Sequence, residues 1–453
     1  MRKILLSGLV LFVCVISYGW MNSACQNNDL WKTTSSEKKS YPEVQLPENV
    51  LLSKATPEAL GMDANDFNKV DQIALHAIKA GAFPGCQILV AVEGKIIYQK
   101  NFGTTMYGNN DSIRNDFVYD IASVTKIAGS TLALMRLQTQ NLFSLDKQLN
   151  DYLPELVGNG KFSNMLIRDM MAHQAGLIAW IPFYQKTLKN GKLAPELYKT
   201  AKANGYENEV AKDVWLNSAY SDTIYQRLLA SSLTPGKHYE YSDLGYYFMK
   251  KIIEKQSGKS MDVFLQEEIY TKLGLNHIGY NPLKWYTLDK IVPTENDKMF
   301  RGQQIHGYVH DPGAAMLGGV GGHAGLFANA QDLATIMQLF LTKGKAGNQQ
   351  LLDEKVVEEF TRVQFKGNRR GAGFDKPTPS KKGQTCELVS AESFGHSGFT
   401  GTFAWADPVY KINYVFLSNR VCPSAENWKI RDMNVRTNIQ QVIYEAVMKR
   451  SKK

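Results

Sequence analysis

Cysteine is sparse in this sequence: five occur among 453 residues. With Cys14 and Cys25 set aside near the N-terminus, Cys86, Cys386 and Cys422 remain. That odd number does not describe a disulfide framework and allows one bridge at most. There is no cysteine pair at zinc spacing and no H-E-x-x-H, so metal-dependent hydrolysis has no support and no metal or other cofactor is expected. His306 and His310 stand four apart beside Asp311. Gly307 and Pro312-Gly313 argue against a helix that would present both, so the segment reads as a loop. A G-x-S-x-G nucleophile elbow is also missing, which weighs against an α/β-hydrolase. No internal repeat is visible, and no basic stripe accompanies the net charge of +9 and the pI near 9.0. Such a charge suits anionic surfaces such as cell wall or lipid head groups better than nucleic acid.

What is present begins with an export signal: Arg2 and Lys3 precede the apolar run ILLSGLVLFVCVIS, and small residues lead to Cys25. Residues 1–25 therefore read as an export or lipoprotein signal, with Cys25 as the lipid-bearing candidate, and the chain as exported, periplasmic or membrane-anchored. Asn22 stands where a lipobox usually has leucine. The polar segment 26–50, rich in charge, Ser, Thr and Pro, reads as a tether. An apolar fraction of 44%, together with an unbroken resemblance to one known family, supports one catalytic unit over 51–450, with a helical lobe inserted at roughly 130–235. Segments such as DKQLNDYLPEL and YSDTIYQRLLASSL carry the lobe's helical pattern. The sheet comes from both ends of this unit. Residues 87–103 alternate about a turn at Glu93-Gly94, and 401–420 pair about Asp407-Pro408, so an antiparallel sheet is expected, closed by a helix over about 430–448.

Ser123-Val124-Thr125-Lys126 carries the most chemistry. A helix over these residues sets a hydroxyl and an ammonium one turn apart on one face. A serine hydroxyl is a poor nucleophile until a neighbouring base activates it, and a lysine serves if desolvation lowers its pKa. The spacing alone proves little, because Ser35–Lys38, Ser36–Lys39 and Ser144–Lys147 share it. Context selects Ser123. The apolar run FVYDIA (117–122) leads into it, and Val124, Ile127, Ala128, Thr131, Leu134 and Met135 recur at helical spacing after it. At a helix N-terminus, free N–H groups and the macrodipole help hold an oxyanion, as acyl transfer requires.

Two later segments offer the remaining parts. Tyr241-Ser242-Asp243 follows a Pro235-Gly236 turn and precedes LGYYFMKKIIEK (244–255), which reads as a helix. His396-Ser397-Gly398 lies in SFGHSGFTGTFAWADP, where small residues allow a strand edge to approach a ligand.

The order S-x-x-K, Y-S-D, H-x-G resembles the three motifs of serine β-lactamases and penicillin-binding proteins. The resemblance spans roughly residues 50–450 and extends to MAHQAGL (171–177), GGVGGHAGLFANAQDLATIM (318–337) and YVFLSNR (414–420). It is closest to the class C β-lactamase-like branch, and within it to D-alanyl-D-alanine carboxypeptidases and glycosidase-associated β-lactamase-like modules. The fold implied is α/β (α+β), β-lactamase/transpeptidase-like: an antiparallel sheet flanked by helices, plus a helical lobe. By position, the resemblance makes Ser123 the acylated nucleophile, with Lys126 and Tyr241 sharing the roles of base and proton shuttle. The backbone N–H groups of Ser123 and Phe399 become the oxyanion hole. Asp243, His396, Ser397, Gly398 and Phe399 become substrate-binding groups. Asp243 stands where the family more often has asparagine, which contacts the substrate amide, and His396 replaces the lysine of the commoner K-T-G form. An imidazole with an ordinary pKa near ~6.5 is mostly neutral at pH 7. His173 and His323 are expected near the cleft without catalytic roles. No counterpart of the class A deacylation glutamate exists: Asp213–Asn217, the nearest look-alike, precedes Tyr241 and lies in the wrong order.

The reading is then an exported serine hydrolase that forms an acyl-enzyme, first a D-alanyl-D-alanine peptidase acting on cell-wall peptides. An esterase or a true β-lactamase would use the same machinery with a different pocket. A non-catalytic β-lactam-sensing or wall-binding module is the alternative of another class. Expected partners are a small peptide, ester or β-lactam substrate, peptidoglycan, and a membrane through the N-terminus, with no nucleic acid.

Overall fold

The computed structural model describes residues 51–378 and 383–450. The export signal, Cys25 and the tether of 26–50 lie outside the described residues. We label the principal elements β1 (Gly85–Val92), β2 (Lys95–Gly103), β3 (Phe394–Ser397), β4 (Phe403–Asp407) and β5 (Ile412–Ser418), and α1 (Asn68–Lys79), α2 (Leu132–Thr139), α3 (Tyr220–Ala230), α4 (Leu244–Ser257), α5 (Ala330–Leu341) and α6 (Val435–Lys449).

The main sheet runs β2-β1-β5-β4-β3, antiparallel at every pairing, and the short segment Ser53–Lys54 adds to β2 in parallel at one edge. Both hairpins turn where the sequence indicates, after Val92 and after Asp407. Alternation sorts the side chains into two cores. Ile88, Val90, Trp405, Tyr414 and Phe416 pack with Ala74 and Ala77 of α1 and Ile439 and Ile443 of α6. Leu89, Ala91, Ala404, Val415 and Leu417 face the other way, toward Leu333, Ile336 and Met337 of α5 and the helices of the lobe. Because both faces are covered, β1 is buried at every position. Cys86, Cys386 and Cys422 are buried free thiols.

Between Lys126 and Tyr241 the structure departs from the helical expectation. Pro154 splits DKQLNDYLPEL into two short turns, Leu149–Tyr152 and Pro154–Val157. Residues 188–216 form small sheets instead of helix: Leu188–Lys189 pairs with Lys192–Leu193, and Val214–Leu216 lies between Tyr198–Lys199 and Asn208–Ala211. The first hairpin turns on Asn190-Gly191, both at positive φ (51° and 73°), the geometry a two-residue turn requires.

Candidate active site

Ser123 lies in a tight 3-10 turn, Ala122–Val124, that continues into a π-turn, Lys126–Thr131, and becomes regular α-helix only at Leu132. The expected core stripe is buried throughout, but so is almost every other face of this helix, Lys126 included at 0% exposure. Ala122, immediately before the serine, is held at φ 48°, a strained conformation for a residue with a side chain. Its N–H is fixed by the Asp120 carboxylate at 2.8 Å, and that carboxylate also accepts from the His310 N–H at 2.7 Å. π-turns and strained residues are enriched at functional sites, and here both adjoin the same serine.

Lys126 Nζ donates to Ser123 Oγ at 2.9 Å and to the His323 carbonyl at 3.2 Å, and pairs with Asp243 Oδ1 at 2.6 Å. The first two contacts are hydrogen bonds and the third is an ion pair. Burial works against the charge, but Asp243 and then Tyr241 outweigh it and raise the pKa above the ordinary lysine value. This corrects the sequence expectation of a desolvated, neutral lysine base: Lys126 is a cation at neutral pH, and the carboxylate at 243 keeps it so. Asp243 is correspondingly occupied with the lysine rather than standing as a free substrate contact.

Tyr241 donates its hydroxyl to Ser123 Oγ at 3.0 Å. Its ring lies 4.5 Å from the His173 ring and 6.0 Å from His396, with Lys126 Nζ 5.1 Å and the Arg370 guanidinium 5.7 Å from its centroid. Burial raises the phenol pKa, the neighbouring ammonium lowers it in part, and Asp243 adds to the rise. The segment before α4 is held by residues 173–179, in MAHQAGL and just after it. His173 Nδ1 accepts from the Ser242 N–H (3.1 Å), the His173 carbonyl from Glu240 (2.8 Å), the Ala179 carbonyl from Asp243 (3.0 Å), and Ser242 Oγ donates to the Ile178 carbonyl (2.7 Å). His173 therefore aims the tyrosine, and His323 contributes a carbonyl that holds the lysine while its own ring pairs with Asp311 at 2.8 Å.

The third segment is β3 with the turn after it. Gly398 gives its N–H to Thr402 at 2.8 Å and packs so closely on the serine turn that a Cβ would fall 2.0 Å from Thr402 Oγ1 and 2.5 Å from the Ile121 carbonyl. Only glycine fits there. His396 is buried, and its pKa is driven well below the ordinary value by burial, then by Arg370 and Lys126. Its Nδ1 lies 2.7 Å from the Ser397 carbonyl and its Nε2 3.3 Å from Arg370 Nη2. A neutral ring donating from Nδ1 and accepting at Nε2 satisfies both contacts. Ser123, Tyr241, His396, Ser397, Gly398 and Phe399 all line one cleft of about 570 Å³. Dividing kcat/KM of the wild type by that of His396→Gln at each pH should give a level line between roughly pH 5.5 and 7.5; an inflection near ~6.5 in that quotient would contradict a neutral His396.

The cleft also contains groups that sequence reasoning missed: Tyr239, Arg370, Arg420, Trp428 and Arg436. Arg420 ends the YVFLSNR stretch, Arg370 follows Arg369 in a loop and Arg436 lies in the first turn of α6, and no spacing marks any of the five as a cleft group. The His306–His310 pair is occupied otherwise: His306 Nε2 meets the Ile291 carbonyl at 2.6 Å, His310 Nε2 meets Glu295 at 2.8 Å, and Asp311 caps the short helix Pro312–Met316.

Comparison with known proteins agrees with this geometry. The Beta-lactamase family model matches residues 70–434. A Salmonella typhimurium protein named "Putative D-alanyl-D-alanine carboxypeptidase" is 31% identical over 406 residues, 84% of this chain and 88% of its own length. Among solved structures, EstCE1, a hydrolase with promiscuous acyltransferase activity, superposes with a TM-score of 0.61 at 18% identity over 84% of this chain and 99% of its own. A class C beta-lactamase gives 0.61 at 17% over 86% and 98%. A penicillin-binding protein homologue from Caulobacter crescentus gives 0.60 at 18% over 85% and 99%. These structural likenesses carry the fold, while the family match and the carboxypeptidase-named relative carry the kinship. With an S-x-x-K serine, a lysine and a tyrosine converging in a cleft of that fold, the chain belongs to the beta-lactamase family and is a serine hydrolase of it.

Proposed function

We propose that this hydrolase is an exported D-alanyl-D-alanine carboxypeptidase-like enzyme that acylates Ser123 with cell-wall peptides. The observation that carries the reading is the position of Ser123 Oγ, 2.9 Å from Lys126 Nζ and 3.0 Å from the Tyr241 hydroxyl. Kinship to the carboxypeptidase-named relatives favours the peptide substrate, and the N-terminal apolar run with Cys25 favours export and a lipid anchor.

In this mechanism Lys126 stays an ammonium, and Tyr241 in its ionised form takes the Ser123 proton as Oγ attacks the scissile carbonyl carbon. The carbonyl electron pair moves onto oxygen, where the backbone N–H groups of Ser123 and Phe399 receive it. As that pair returns, the C–N bond breaks and the departing amine takes the proton from Tyr241, leaving an ester on Ser123. Water repeats the sequence to release the acid. Lys126 lowers the energy of the phenolate in both halves, and Asp243 keeps Lys126 charged.

Asp243 raises the Tyr241 pKa directly and also holds charged the Lys126 ammonium that lowers it, so Asp243→Asn should displace the rising limb of the acylation pH profile. An unmoved limb would contradict the assignment of Tyr241 as the base. The function itself is tested by supplying D-alanyl-D-alanine peptides, nitrophenyl esters and a chromogenic cephalosporin to the wild type and to Ser123→Ala. Release of D-alanine by the wild type alone supports the proposal. Ester cleavage without peptide cleavage makes the protein an esterase, and a β-lactam adduct that never decays makes it a sensor.

A further inference from the structure

Arg420, just past the end of β5, is 1% exposed and pairs with no carboxylate among the described residues. Its partners are backbone carbonyls and rings. Nε donates to the Phe399 carbonyl at 2.8 Å, Nη1 to the Ala425 and Asn427 carbonyls at 2.7 and 2.8 Å, and the backbone N–H to the Thr400 carbonyl at 2.9 Å. The guanidinium lies 4.4 Å from the Phe399 ring centroid and 4.0 Å from that of Trp428. Burial, and then the neighbouring Arg436, depress its pKa to about 10. A buried cation without a counter-ion is unfavourable, and packing alone would be met by an apolar side chain of similar volume. What the guanidinium adds is a fixed fork that holds several carbonyls at once.

Two of those carbonyls belong to the turn 398–402, and the turn's other three are held as well. Gly398 accepts from the Gly401 N–H at 3.1 Å, Gly401 from Ser418 Oγ at 3.1 Å, and Thr402 from the Gly398 N–H at 2.8 Å and Arg436 Nη1 at 3.0 Å. On the side of the serine, Thr400 Oγ1 donates to the Asp120 carbonyl at 2.7 Å and Thr402 Oγ1 to the Ile121 carbonyl at 2.9 Å. The Phe399 N–H, by contrast, meets no acceptor among the described residues, and neither does the Ser123 N–H. A relay of peptides leads to the first of these: the Arg420 N–H binds the Thr400 carbonyl, the Gly401 N–H of that same peptide binds the Gly398 carbonyl, and the Phe399 N–H ends the series. Each bond polarises the next. An oxyanion hole works because its donors are aimed before the charge develops. From the Phe399 and Thr400 carbonyls that Arg420 holds, and from the unclaimed Phe399 N–H at the end of the relay, we infer that Arg420 is a positioning residue of the oxyanion hole. It touches no substrate and acts by fixing the turn that aims the Phe399 N–H. This rests on the assignment of Ser123 as the acylated residue.

Two probes read this role: 4-nitrophenyl acetate for turnover, and phenylboronic acid, whose boron bonds to Ser123 Oγ as the hydroxyl proton leaves to the base, giving a tetrahedral anion. Arg420→Lys keeps the charge and loses the fork. It should lower kcat by ~10–100-fold with KM little changed, less than the ~10²–10³ expected when a donor is removed outright, because the donor is displaced and not deleted. The inhibition constant of the boronic acid should rise by the same factor. A purely structural loss would lower kcat by removing folded enzyme and leave that constant where it was. Thr400→Val, which frees the turn on the side of Asp120, should shift both quantities together by ~3–10-fold, and Thr400→Ser should restore them. Those two variants decide the matter if Arg420→Lys does not fold. An Arg420→Lys enzyme with wild-type kcat, or a lowered kcat with an unchanged inhibition constant in either Arg420→Lys or Thr400→Val, would overturn the positioning role. The Ser123 assignment stands apart from that outcome: it fails only if Ser123→Ala binds the boronic acid as well as the wild type does.

Discussion

Ser123→Ala is expected to lower kcat toward any acyl donor by on the order of 10⁵–10⁶, the loss seen when a covalent nucleophile is removed and only the binding and oxyanion contacts are left. The size of the effect follows from the mechanism. Without Oγ no ester can form, and Lys126 and Tyr241 are left directed at an empty position. The fold should tolerate the change. The hydroxyl fills no core space, Lys126 keeps the His323 carbonyl and the Asp243 carboxylate, and a loss of ~1 kcal/mol would shift Tm by only about 2–4 °C. Circular dichroism and thermal melts on the same samples separate lost chemistry from lost structure. A variant that keeps more than a few per cent of wild-type turnover would move the nucleophile elsewhere.

Tyr241→Phe should be the second largest effect, a fall of ~10²–10⁴ in the acylation rate, the usual contribution of a positioned proton-transfer group. Phenylalanine keeps the ring, so its contacts with His173 and His396 and the cations over its face persist. Only the oxygen 3.0 Å from Ser123 Oγ is lost. Because the ionised phenol is the proposed base, the residual activity of the variant should also lack the rise with pH expected of the wild type. Rapid-mixing measurement of the acylation step with an activated ester, across pH, distinguishes this from a change in deacylation. A variant of unaltered rate, or one with the same pH dependence at lower rate, would mean that Tyr241 only orients the serine.

The three segments of the site were legible because each carries a short motif with a local physical reason: a helical i, i+3 pair, a loop-to-helix junction, and a glycine-bearing strand end. Their convergence was legible only through the family resemblance, since no local rule brings residues 123, 241 and 396 together. The sheet was readable from its two alternating hairpins. The small sheets of 188–216 carried a signal that helical expectation overrode: Asn190-Gly191 is a hairpin turn dipeptide, and it turns a hairpin. The charge state of Lys126 was beyond sequence, because it depends on how far a carboxylate 117 positions away approaches, and Asp243 comes to 2.6 Å. The same holds for His396, whose neutrality is set by burial and by Arg370 from a loop without any motif.

The account is tested most directly by trapping the protein during turnover of an activated ester or β-lactam, digesting it and locating the added mass. The acyl group should lie on the peptide containing Ser123, should be absent from Ser123→Ala, and should accumulate far more slowly in Tyr241→Phe. An acyl group found on any other residue, or one that survives in Ser123→Ala, would contradict it.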